Sequence, residues 1–248
     1  MIKRNYYKIV RVFPDPSSYF YIKNETMSEG KVGLFIFTPE RLNEMTLDYS
    51  FDKVNWTRVN EYNNNILVPA DGYMYLRNTT GIFATNRTQV IAPHSNISLG
   101  GDIRTLFNYT DVESVTKIPD YGFSHPFSMQ GDAKITDISN LSFRGITSIG
   151  DYGLFEAFGW NYIGAKGVDL RDVTTLGEGA LISLYQSNFN LKEAYAPNVS
   201  TWDTNKTDSW LNSVASTGVL YKPSTLTIPT NFDSGIPSGW TTQDYPTK

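Results

Sequence analysis

The sequence contains no cysteine. Disulfides, thiol nucleophiles and thiolate–metal sites are therefore excluded. Histidine is nearly absent too: His94 and His125 are the two copies. Each stands apart from any ligand or acid–base pattern, so both read as surface or structural residues. Charge is scarce, at 19% of residues, and the net charge is −4. That balance argues against a general nucleic-acid binder. No apolar run approaches the roughly 18 residues needed to cross a bilayer, so no membrane insertion is expected. There is no Gly-x-Ser-x-Gly elbow, no phosphate-binding loop, no Gly-x-Gly-x-x-Gly and no Asp-x-Asp-x-Asp-Gly calcium loop. The basic stretch from Met1 to Arg11 lacks the apolar core and cleavage site of a secretory signal, which leads us to expect no export by the usual route.

What is abundant is aromatic. Of 248 residues, 14% are aromatic, with 16 Tyr and 14 Phe. Asn, Thr, Ser and Gly are plentiful while Ala, Lys and Glu are sparse, a balance that favours strands and turns over helices. The length suits one large domain or two ordinary ones.

One phrase recurs. Ile146-Thr-Ser-Ile-Gly150, Val173-Thr-Thr-Leu-Gly177 and Val199-Ser-Thr-Trp202 share the pattern [Ile/Val]-[Thr/Ser]-[Thr/Ser]-apolar. Their starts lie 173 − 146 = 27 and 199 − 173 = 26 residues apart. An apolar cluster follows each: Leu154-Phe155, Leu181-Ile182 and Trp210-Leu211. A second β-like phrase follows in turn: Gly167–Leu170, Leu191–Ala194 and Gly218–Tyr221. A period of 20–30 residues marks units that cannot bury an apolar face alone and must stack. Ile135-Thr-Asp-Ile138 matches the phrase only 11 residues before Ile146 and reads as an atypical capping unit.

The expected architecture is mostly β in three parts. Residues 1–30 form an N-terminal hairpin arm for attachment or oligomerisation, with Tyr6, Tyr7, Ile9, Val12 and Phe13 as attachment candidates. Residues 31–98 form a small β-sandwich, from short strands at regular spacing, with Trp56 as a core anchor. Residues 99–248 form a short, irregular leucine-rich-repeat-like solenoid with a C-terminal cap. Gly100–Phe107 reads as its entry helix, capped by Asp102. Ile228, Phe232, Ile236 and Trp240 are the tail's expected contacts.

The order of motifs carries a resemblance. Phe37-Thr-Pro-Glu40, Leu47 to Thr57, Gly72 to Arg77, Gly101-Asp-Ile-Arg-Thr-Leu106, Thr217 to Pro223 and Ile236-Pro-Ser-Gly-Trp240 follow one another as similar segments do in Bacteroides-type BspA-like leucine-rich-repeat surface proteins. The resemblance spans about residues 32–240. Family repeats often carry a cysteine in each unit, and this chain has none. Similar modules occur in fibre and decoration proteins of phages infecting Bacteroidetes, crAss-like phages among them. Those proteins need no secretory signal, and the lack of one here turns the expectation toward a phage particle.

The resemblance thus implies a non-enzymatic virion protein: a head fibre, tail fibre or capsid decoration, with adhesion to the host as a role. The alternative is a bacterial cell-surface adhesin or glycan-binding repeat protein. The expected partners are a second copy of itself (dimer or trimer), capsid or tail proteins, and a host-surface glycan or protein. No cofactor and no metal are expected. Within the repeats, Trp160, Tyr162, Tyr185, Tyr195, Trp202 and Trp210 are the interaction candidates, since aromatics on a rigid face can stack on sugars or anchor a protein. Glu156, Asp169, Asp172 and Glu178 read as solvated surface, because no spacing sets two of them across one groove as glycoside hydrolysis requires.

Overall fold

A computed structural model describes residues 19–35, 46–59, 63–81, 83, 90–127, 132–230 and 234–246. Tyr6, Tyr7, Ile9, Val12, Phe13 and Phe232 lie outside the described residues. The fold is mostly β, in several small sheets with no barrel among the described residues. The strands are β1 (Phe20–Asn24), β2 (Gly30–Phe35), β3 (Asp48–Ser50), β4 (Thr57–Arg58), β5 (Asn63–Val68), β6 (Tyr73–Arg77), β7 (Ile91–Pro93) and β8 (Ile97–Asp102). They continue as β9 (Lys117–Ile118), β10 (Ile135–Ser142), β11 (Ser148–Ile149), β12 (Lys166–Asp169), β13 (Thr175–Leu176), β14 (Glu193–Tyr195), β15 (Gly218–Lys222) and β16 (Trp240–Asp244). Two four-residue helices, α1 (Thr105–Asn108) and α2 (Thr204–Thr207), interrupt them.

The largest sheet runs β10-β8-β1-β6-β3-β4. Alternation builds it: Phe20, Ile22, Met74, Leu76, Ile97 and Leu99 are buried on one face, while Tyr21, Lys23, Tyr73 and Tyr75 occupy the other. A second sheet, β5-β2-β7, sends Val32, Leu34, Ile66, Val68 and Ile91 into the same core. β1 is central in the first sheet, paired antiparallel with both β6 and β8. Residues 20–24 are therefore not part of a detached arm. The proposed boundaries at 30 and 98 do not interrupt this ladder either, since it joins β1, β6, β8 and β10.

Other local expectations also change. Gly100–Asp102 extend β8, and α1 begins after Arg104 with no side-chain cap. The strand wins because β8 is flanked on both sides, by β1 and β10. Ile135–Ile138 belongs to β10, alongside β8, and is not a cap of the recurring phrase. Trp56 is only half-buried, on the outer face of the sheet. Leu47, Asp48 and Ser50 are buried while Phe51 is 45% exposed, so the polar residues of β3 are shielded from solvent. Arg58 and Arg77 cover that end of β3, both paired with Asp48.

Beyond residue 115 the chain stacks on itself in parallel. β11 pairs with β13 (Ser148↔Thr175, Ile149↔Leu176) and with β9 (Ser148↔Lys117, Ile149↔Ile118). The first two copies of the recurring phrase thus sit in register, and Val115-Thr-Lys-Ile118 precedes them. The third copy, Val199–Trp202, adds no strand. A second parallel ladder, β12-β14-β15-β16, collects the following phrases and the tail. β12 also lies beside β10, so it carries on from the edge of the first sheet.

Between these ladders each unit climbs through a run of turns. Alternate amides reach across to the next unit: Tyr152 N–H to Glu178 O (2.7 Å), Leu154 to Ala180 (3.0 Å), Glu156 to Ile182 (2.9 Å) and Phe158 to Leu184 (3.1 Å). The intervening amides turn back within their own unit, as Gly153 to Gly150 and Phe155 to Tyr152. Every fourth residue is left-handed: Tyr152, Glu156 and Trp160 in one unit, then Gly179, Ser183 and Ser187 in the next.

Buried asparagines close the units. Asn188 donates to Phe158 O (2.7 Å) and Tyr185 O (3.0 Å), and its side-chain oxygen accepts from Ile163 N–H (3.3 Å). Asn161, 188 − 161 = 27 residues earlier, accepts from Ile135 N–H (3.0 Å). Losing such a buried side chain strands several backbone groups, at about 1–3 kcal/mol. Asn188→Ala should lower unfolding free energy by that amount in urea denaturation. Asn190→Ala, at an exposed neighbour, should stay within about 0.5 kcal/mol of the parent.

Candidate interaction surface

Aromatic side chains gather in three outward places. The first is the outer face of the large sheet. Tyr21 and Tyr75 are cross-strand partners, as are Lys23 and Tyr73. Tyr21 meets Tyr73 edge-on at 5.2 Å, and Tyr73 stacks on Tyr75 at 6.0 Å. Lys53 sits over the Tyr75 ring at 4.7 Å. Gly100 makes this possible: a side chain there would collide with the Tyr21 ring and hydroxyl. Toward the next end, Arg77 lies over both Trp56 (4.0 Å) and Tyr109 (4.2 Å), and Tyr19 packs on Trp56. Stacking a guanidinium on two rings stiffens them, at about 0.5–1 kcal/mol for each exposed pair.

The second place is the outer face of the β12-β14-β15-β16 ladder. Tyr195 stacks on Tyr221 at 4.8 Å. Lys166 and Arg171 approach the Tyr195 ring at 5.2 and 5.7 Å. The Tyr245 hydroxyl donates to Ala196 O at 2.6 Å and fastens the C-terminal segment there.

The third is a strip of exposed rings at the end of the turn run. Trp160 is 46% exposed, Tyr162 50% and Phe189 59%. Tyr162 and Phe189 hold equivalent positions, each one residue after a buried asparagine of the pair Asn161 and Asn188. Lys134 lies over the Tyr162 ring at 5.6 Å.

Of the six interaction candidates, Trp160 and Tyr162 are exposed. Tyr185 and Trp210 are fully buried and belong to the core. The Tyr185 hydroxyl accepts from Val168 N–H, and the Trp210 indole donates to Gly235 O. Trp202 is half-buried against Trp210 and donates to Ser234 O. Tyr195 has little exposed surface of its own and is reached only through the stacked pair. Sequence reading missed Phe189, Tyr21, Tyr73 and Tyr75. Phe189 was legible in principle, lying 27 residues after Tyr162 at the same place in the period.

The acidic residues are mostly engaged. Glu156 binds His125 Nδ1, so neither residue stands alone. Asp169 is forked by Arg171, Asp172 accepts from Gly145 N–H, and Glu178 accepts from the Tyr152 hydroxyl. Deeper in the fold, Arg104 forks Asp102, with side chains 3% and 1% exposed, and also reaches Glu113. Removing one partner of such a buried pair leaves the other charge uncompensated, at about 3–5 kcal/mol. Among the described residues, no cluster of three or more His, Asp or Glu could hold a metal, and no helix is long and apolar enough to cross a membrane.

Comparison with known proteins returned no matching family model, no similar curated protein and no similar solved structure.

Burial pushes the Tyr21 and Tyr195 hydroxyls up to about 12, with neighbouring tyrosines and carboxylates adding to the effect. Between the ordinary tyrosine pKa near 10 and these values, the folded chain holds more protons than the unfolded one. Stability is therefore intact below about pH 10 and falls as pH rises toward 12. Melting temperature measured from pH 8 to 11.5 should drop steeply above pH 10. Tyr21→Phe should make that drop shallower. A separate test of the buried pair is Asp102→Ala, which should cost about 3–5 kcal/mol in denaturant titrations.

Proposed function

We propose that this chain is a non-enzymatic structural protein of a phage virion, a head or tail fibre or a capsid decoration. It would display a rigid aromatic face, built on a short leucine-rich-repeat-like array, toward the host surface. The observation that carries the reading is the strip of Trp160, Tyr162 and Phe189, exposed at the ends of hydrogen-bonded stacked turns. A flat ring held by a stiff backbone can cover the apolar face of a sugar while its neighbours stay hydrated, at little entropic cost. Placement on a virion rests on the resemblance in motif order to phage fibre and decoration proteins. A homo-oligomer would repeat the strip, so that several weak contacts act together with a high effective concentration.

The second reading is a bacterial cell-surface adhesin, favoured by the same exposed strip and by the resemblance to surface repeat proteins. Immunogold electron microscopy with an antibody against residues 140–248 separates the two. Label on projections of purified particles is the expected result. Label on uninfected cells with none on particles would replace the virion with the cell surface. In either setting, combined alanine replacement of Trp160, Tyr162 and Phe189 should weaken attachment to host cells at least about tenfold, since hot-spot aromatics are typically worth about 2 kcal/mol. The melting temperature should be nearly unchanged.

A further inference from the structure

Three arginines occupy equivalent places on adjacent strands, and one of them differs. Each follows an acceptor two residues earlier: Asp102-Ile-Arg104 at the end of β8, Ser142-Phe-Arg144 at the end of β10, and Asp169-Leu-Arg171 at the end of β12. Ser142 pairs directly with Asp102 across β10 and β8. The amide contact is the same in all three, although the turn at Arg144 runs on through Gly145 at φ 82° while Thr105 and Asp172 are not left-handed. The arginine N–H donates to Asp102 Oδ1 (2.9 Å), Ser142 Oγ (3.2 Å) and Asp169 Oδ1 (3.1 Å) respectively.

The side chains then part ways. A carboxylate has oxygens to spare, so Asp102 takes the Arg104 guanidinium (Nη2 to Oδ2, 2.8 Å) and Asp169 takes that of Arg171 (Nη2 to Oδ2, 2.6 Å). A serine hydroxyl is one small neutral group, and here it receives the backbone amide. The exposed Arg144 guanidinium has no ion pair among the described residues. It lines a cleft of about 440 Å³ together with Ser142, Phe143, Asp169, Arg171 and Asp172. That volume falls within the range of small-ligand sites, about 300–1,000 Å³.

We propose that this cleft binds a carboxylate carried by the ligand, which takes on Arg144 the position that Asp102 and Asp169 take on the flanking arginines. The guanidinium fork matches a planar carboxylate in a bidentate pair. Asp172 on the same cleft wall repels a doubly charged phosphate more strongly than a singly charged carboxylate. The ligand class is a sugar acid, either a free uronic acid or a uronate within an acidic polysaccharide. A sugar fits the wall, where the Ser142 hydroxyl and the Asp169 and Asp172 carboxylates stand as acceptors beside the Arg144 guanidinium, the Arg171 guanidinium being held by Asp169 and Pro246 O. The site is independent of the exposed aromatic strip and of where the protein resides.

The test is calorimetric titration of the full chain with sodium galacturonate, galactose, inorganic phosphate and polygalacturonate. Galacturonate should bind with Kd on the order of 1 mM, and galactose and phosphate at least about tenfold more weakly. Polygalacturonate binding in the absence of free-galacturonate binding would assign the polymer as the source, provided Arg144→Ala abolishes it. Arg144→Ala should remove binding and Arg144→Lys should weaken it. The decisive variant is Ser142→Asp, which rebuilds the self-paired pattern of the neighbours. It should lose binding at least about tenfold while keeping or raising the melting temperature. Galactose or phosphate binding as tightly as galacturonate, neither uronate probe binding, or Ser142→Asp binding like the parent would each overturn the proposal.

Discussion

The C-terminal half depends on backbone hydrogen bonds that pass from one unit to the next. Strands of two residues, such as β9, β11 and β13, have no stability alone. They persist because each amide finds a carbonyl in the adjoining unit: Thr147 N–H on Thr116 O, Gly150 on Ile118, Thr174 on Thr147 and Gly177 on Ile149. On the turn run the same demand is met by every second amide. An unmet buried amide is costly, so register between units is set by the backbone, and side chains fill the space it leaves.

That demand accounts for the unusual backbone. Tyr121, His125, Tyr152, Glu156, Trp160, Ser183 and Ser187 all have positive φ, between 45° and 62°. Such a conformation costs roughly 1–3 kcal/mol in a residue other than glycine. Each of these residues also donates its amide across to the next unit. The strain and the bond occur together, and the bond holds the strain in place. The same geometry has a surface consequence. At Trp160 a left-handed residue follows four positions after Glu156, and its side chain projects from the stack into solvent. Rigidity of the displayed rings and regularity of the ladder are one property.

How much of this was legible follows from what each feature demands of its residues. The 27-residue period was readable because stacked apolar positions must repeat, as Ile149 and Leu176 do. The unit at Val115–Ile118 was not, since it stands 149 − 118 = 31 residues from its partner and is followed by Pro119 where the others have glycine. The left-handed turns left no mark either, because Tyr, Glu and Trp are not residue types that announce positive φ. Burial of single aromatics was equally hidden. Tyr162 and Tyr185 look alike in sequence, yet one is 50% exposed and the other 1%. The outer tyrosines of β1 and β6 were masked by their neighbours. Phe20-Tyr-Ile and Tyr73-Met-Tyr-Leu76 read as unbroken apolar runs, and only the ladder separates Tyr21 and Tyr75 from Ile22 and Met74. Asp102 reads as a helix cap because it precedes Ile103, Leu106 and Phe107, which share one helical side, whereas Arg104 two residues on claims its carboxylate.

The arginine series shows how a repeated backbone can carry different roles at equivalent places. The turn that sets Arg104, Arg144 and Arg171 needs only one acceptor for an amide, which serine and aspartate supply equally well. Stability of the local turn therefore does not decide which of the two residues stands there. Charge decides what the arginine can do next. With aspartate, the fork is filled and the pair becomes a fixed part of the wall; at Arg104 it is buried and ties in Glu113 as well, with Gly145 at φ 82° giving the guanidinium room. With serine, the amide contact is kept and the positive charge stays available at the surface of the cleft. A stacked fold can thus vary its surface chemistry one unit at a time while the backbone ladder, which holds the stack together, is left as it was.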